Sequence, residues 1–88
     1  MPDDKAIHQI LMDLADAKTW PENFKRNLDQ GIDVRREMKA AAKKIEGFEK
    51  HAKQLMQTLG CTNPKTRSIY QGMADMLINW HTFVDDLD

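Results

Sequence analysis

From Gly31 onward, apolar residues fall at Val34, Met38, Ala41, Ile45, Phe48, Ala52, Leu55 and Leu59, at intervals alternating between four and three. That spacing is the seam of a helix packed lengthwise on another helix. Gly60 follows the last seam residue, where a glycine ordinarily ends a helix. A second seam runs Ile69, Met73, Met76, Trp80, Phe83 and Leu87, again by fours and threes, with Tyr70, Leu77 and Val84 widening it on one flank. Asn63-Pro64 announces this segment, Asn63 as cap and Pro64 at the first helical position. A stripe this wide should bury against more than one neighbour, the preceding helix plus either the first helix or another subunit.

A shorter period comes first. Ile7, Ile10, Leu11 and Leu14 share a face over about Asp4–Lys18, with Asp3 or Asp4 as N-cap. Thr19-Trp20-Pro21-Glu22 has capping-box spacing, so a new helix starts there. Gly31-Ile32-Asp33 leaves two alternatives open: a kink in one long helix, or a break at Gly31 with Asp33 capping the next. At about 1.5 Å per residue, Val34–Leu59 and Pro64–Leu87 both span roughly 35–40 Å. The prediction is all-α: an antiparallel hairpin of two long helices, turning at Cys61–Asn63, plus one or two shorter N-terminal helices. Those shorter helices can cover their own hairpin or a partner's.

Composition narrows this to one domain. Eighty-eight residues, 41% apolar and 31% charged, suit a small packed helical unit and argue against disorder. Such a unit is marginal alone, and a homo-oligomer is expected. Six methionines suit adaptable contacts. The single cysteine, Cys61, rules out an intrachain disulfide and a cysteine-based zinc site, and fits a reducing compartment. No secretory signal and no apolar run near 20 residues is visible, so the expectation is a soluble cytoplasmic protein without membrane contact.

Charge is segregated. Residues 1–20 carry −2, residues 21–67 carry +5 and residues 68–88 carry −4, for a net −1. On the second long segment Arg36, Lys43 and Lys50 fall farthest from the seam, flanked by Arg35, Lys39, Lys44 and Lys53. Glu46 precedes Lys50, and Glu49 precedes Lys53, at helix salt-bridge spacing, so a solvated face is expected rather than a grip on polymeric nucleic acid.

Chemistry is sparse. Cys61 has no histidine near it in sequence, the four glycines form no phosphate loop, and Asp85, Asp86 and Asp88 read as a solvated acidic end. Asp4 with His8, and His81 with Asp85, share helix faces; four such ligands would suit zinc only if the first helix placed its start beside the end of the last. Surface hydrogen bonding is the expected role of both pairs, and His51 reads as an ordinary surface residue. No enzyme, metal or cofactor is predicted.

The stretch Cys61-Thr-Asn-Pro64-Lys-Thr-Arg67-Ser68, with Trp80 thirteen residues after Arg67, resembles the turn and final helix of the phage anti-CBASS proteins. In that family of helical-hairpin sponges an Arg-Ser pair opens the last helix and a Trp lies at about this distance. The family then carries a Thr-Lys-Leu run with two acids, where this chain has Gly72-Met73-Ala74-Asp75-Met76. The resemblance implies a homo-oligomer of phage origin in host cytoplasm that sequesters cyclic di- or trinucleotides without cleaving them. Residue by residue it implies Arg67, Pro64 and Ser68 as ligand contacts. By chemistry alone, Lys65 adds charge and Thr66 a hydroxyl, and unpaired N–H groups at a helix start favour an anion. Lys25 and Arg26 beside Trp20 and Phe24 form the basic–aromatic cluster of the N-terminal region, although the two rings read first as staples between the first two helices. The alternative is a protein-binding module that offers an apolar helix face to a protein partner.

Overall fold

The computed structural model describes residues 3–87 and contains four helices among them: α1 (Asp3–Lys18), α2 (Trp20–Asp29), α3 (Arg35–Leu59) and α4 (Pro64–Asp86). The all-α prediction holds, with no strand among the described residues. None of these helices is long and apolar enough to cross a membrane.

The first two helices form one bent rod. Pro21 has no N–H to return to Ala17, and its ring crowds that carbonyl. The Thr19 hydroxyl donates to the Asp16 carbonyl at 2.7 Å and makes no cap bond to α2. The predicted boundary is therefore present, but the Thr19–Glu22 capping box is not, and the chain bends instead of stopping. Helix α1 already includes Asp3 and Asp4, so neither flanks it as a cap; the flanking position lies outside the described residues.

At Gly31 the chain reverses fully. Its φ of +80° is one that side-chain-bearing residues rarely adopt. The Gly31 N–H reaches the Leu28 carbonyl at 3.0 Å and the Ile32 N–H reaches the Asn27 carbonyl at 2.9 Å, the paired bonds of a Schellman ending. Asp33 then accepts the Arg35 N–H at 3.0 Å at the start of α3. Of the two alternatives at this point, the break is the one observed, although the capping position of α3 is taken by Val34 and not by Asp33.

The second reversal follows Gly60, whose φ of 84° and ψ of 165° lie in a region almost confined to glycine. Two reversals make an up-down-up bundle, 46 × 20 × 16 Å, in which α1 and α2 run parallel to α4. The contacts along the rod record this direction. Lys65 reaches Asp4 near the start of both helices, Gly72 lies against Leu14, and Lys18 reaches Asp75. The N-terminal helices thus cover their own hairpin.

The core is apolar throughout, with no buried polar residue among those described. Ile7, Ile10 and Leu14 of α1 meet Ile69, Met73 and Met76 of α4, with Ala41, Ile45 and Ala52 of α3 closing the third side. Toward the Gly31 end the filling turns aromatic. Phe24 lies 6.1 Å from both Trp80 and Phe83, and Trp20 lies 6.0 Å from Phe48, measured between ring centroids. Trp20 and Phe24 therefore tie α2 to α3 and α4.

Two seam expectations need correction. Leu87 is 46% exposed, because it follows the last residue of α4 and the groove between it and α2 stays open. Tyr70 is 61% exposed and joins no buried flank; Leu77 and Val84 are half-buried. The wide α4 stripe is covered by α1, α2 and α3 of the same chain, so its width alone gives no reason for a second subunit.

Trp80 is 7% exposed, and Trp80→Ala is expected to cost about 3–5 kcal/mol by denaturant unfolding. Glycines give a paired test. Gly47 is mid-helix with open space around it, so Gly47→Ala should stabilise by about 1 kcal/mol. At Gly60 the same change should destabilise by roughly 1–3 kcal/mol, from backbone strain.

Candidate functional site

The α3–α4 turn holds the residues singled out by sequence, and its hydrogen bonds decide what remains for a ligand. Asn63 accepts the Lys65 N–H through its side chain at 2.9 Å and the Thr66 N–H through its carbonyl at 3.0 Å. Pro64 has no N–H to offer. The expected unpaired donors at the start of α4 are therefore largely satisfied by the cap itself. The Thr66 hydroxyl donates to the Gly60 carbonyl at 2.7 Å, closing the end of α3. Lys65 Nζ meets Asp4 Oδ1 at 2.9 Å and ties the turn to α1. Arg67 and Ser68 are exposed, and Arg67 forms no ion pair among the described residues. Both keep side-chain donors to spare.

The N-terminal cluster does not converge. Lys25 lines a groove of about 510 Å³ between α2 and the end of α4, shared with Glu22, Asp29 and Asp86. Trp20 faces the other side of α2, over Ala41 and Lys44 of α3. Arg26 is exposed and lines neither groove. A ligand held by Lys25 would not stack on Trp20.

A third groove, of about 790 Å³, runs between the start of α3 and the end of α4. Met38, Ala42, Trp80 and Val84 form its floor, and Arg35, Arg36, Lys39 and Asp33 its rim. Arg35 is held by Asp33, with Nε and Nη2 each 3.3 Å from a carboxylate oxygen. That side-chain bond, then the Arg35 N–H and the guanidinium charge, holds the Asp33 carboxyl below its usual range; the same bond raises Arg35. Arg36 and Lys39 form no ion pair among the described residues and remain available to an anion.

Sequence reasoning named these cations as part of a solvated face and Trp80 as a seam residue and part of the family resemblance, without joining the two. The signal that would have joined them is register. A hairpin turning near Thr62 places Met38 opposite Val84 and Ala42 opposite Trp80, which brings Arg35, Arg36 and Lys39 over the same floor. Along the rest of the basic face, Lys53 pairs with Glu49 at 3.0 Å, whereas Lys50 forms no bridge to Glu46.

The histidine pairs stay apart. Asp4 and His8 lie at the end of the bundle that holds the α3–α4 turn, and His81 and Asp85 lie toward the other end. No cluster of three or more metal-binding side chains occurs among the described residues. Cys61 is exposed at the turn.

No family model, curated protein or solved structure matches the chain.

Asn63 carries the start of α4, so Asn63→Ala should cost about 1 kcal/mol in the same unfolding measurement, the usual worth of such a cap.

Proposed function

We propose that this protein is a non-enzymatic binder of compact anionic ligands, of the kind that sequesters cyclic oligonucleotide signals in phage evasion of host defence. The groove between α3 and α4 carries this reading. Its volume lies within the range of about 300–1,000 Å³ typical of small-molecule sites, and it pairs an apolar floor with two uncommitted cations. Phosphates would meet Arg36 and Lys39, while the flat face of a base would lie over Met38, Val84 and the exposed edge of Trp80. Asp85 and Asp86 at the end of α4 repel an extended phosphate chain, which favours a compact ligand over polymeric nucleic acid. The host cytoplasm is the compartment where such a signal would be met.

A second reading, a protein-binding module, draws on a different observation. Tyr70 and Ile78 of α4 are 61% and 63% exposed, a large apolar outlay for a surface helix.

Thermal shift against cyclic di- and trinucleotides tests the first reading. Ligand at a hundred times its Kd adds about 2.7 kcal/mol, which in a domain this size raises Tm by roughly 10–20 °C. The Arg36→Glu/Lys39→Glu double variant should lose that shift and Arg67→Ala should keep it. Loss with Arg67→Ala alone would move the ligand to the α3–α4 turn. No shift of the wild type with any cyclic nucleotide would contradict the sequestration reading.

A further inference from the structure

The outward face of α4 carries a row that the bundle leaves uncovered: Arg67, Tyr70, Ala74, Ile78, His81 and Asp85. Its intervals are three, four, four, three and four, so the six residues form one continuous line along the helix. All are exposed except Ala74, which is half-buried. The row points away from the contacts with α1, which run through Gly72, Asp75 and Asn79.

Read from either end, the row is self-complementary. Laid antiparallel on a copy of itself about a twofold axis near Met76, Arg67 faces Asp85 of the second copy and Tyr70 faces its His81. Ala74 faces its Ile78. Each pairing occurs twice, as an isologous contact requires. Arg67 and Asp85 each lack an ion pair among the described residues. Ala74 at the centre lets the two helices approach closely enough for Ile78 to seat beside it, small against large.

We infer that the protein self-associates through this row, as an antiparallel α4–α4 dimer closed at both ends by Arg67–Asp85 pairs. From Arg67 to Asp85 the contact is about 27 Å long at 1.5 Å per residue. Half-buried Leu77 adds apolar surface on one flank. Charge selects the arrangement. A parallel packing would set Arg67 beside Arg67 and Asp85 beside Asp85, and like charges in such positions disfavour the pairing. This inference does not depend on the ligand groove.

Sedimentation velocity from about 1 to 500 μM tests it. Wild type should pass from the 10.2 kDa chain toward twice that mass as concentration rises. Arg67→Asp and Asp85→Arg, each alone, should weaken association on the order of tenfold, because each converts two attractive contacts into repulsive ones. Combining the two substitutions should restore it, a recovery that a merely structural role for either residue would not produce. Ile78→Glu, exposed in the single chain, should abolish association while leaving helicity unchanged, and its unfolding midpoint should match that of wild type at concentrations where wild type is monomeric. A wild type that stays monomeric throughout the range overturns the inference. So does a dimer that is indifferent to Ile78→Glu and to the charge exchange.

Discussion

Helix α4 carries apolar side chains over too much of its circumference for one neighbour to cover, and the rest of the bundle is arranged to meet that demand. Helix α3 covers one flank by reversing at Gly60, and the bent rod of α1 and α2 covers the other by running parallel to α4. The small residues sit where this is tightest. Gly72 leaves room for Leu14, and Ala17, Ala41 and Ala52 are all buried, which lets three helix axes converge around Ile10, Ile69 and Met76. Apolar burial supplies the packing between helices, since no polar residue is buried among those described. The surface ion pairs, such as Lys65–Asp4, mark direction more than they hold the fold.

Periodicity made the two long helices and their turn legible, because a core-facing helix must repeat its apolar residues at three and four. Asn63-Pro64 and Gly60 located the turn for equally local reasons. What the pattern did not contain was choice between partners. Helix α1 shows a clean apolar face, but a face alone does not say whether its own hairpin or another chain covers it. Thr19 shows the limit of local signals. Its spacing to Glu22 fits a capping box, yet its hydroxyl turns back to Asp16, and Pro21 does the work of bending the rod. Tyr70 and Leu87 kept the right spacing but found no neighbour, one on the outer face and one past the helix end.

The candidate site was legible in its residue types and not in its assembly. Thr66 and Asn63 are spent on holding the turn together and Lys65 reaches Asp4 of α1, an outcome fixed by distances that no linear spacing reveals. Lys25 and Trp20, five residues apart, sit on opposite sides of α2. Arg36 and Lys39 gain meaning only because hairpin register places them above Trp80 and Val84. The proposed site therefore lies not at the tip of the hairpin but in the groove at its open end, which pairs charge with an apolar floor.

Backbone and indole chemical shifts of the isotope-labelled protein, followed during titration with a cyclic dinucleotide and a cyclic trinucleotide, locate a ligand directly. The account predicts saturable changes along Arg35–Ala42 and at the Trp80 indole, with Lys65–Ser68 unmoved. Changes centred on Lys65–Ser68, or none at either place, would contradict it.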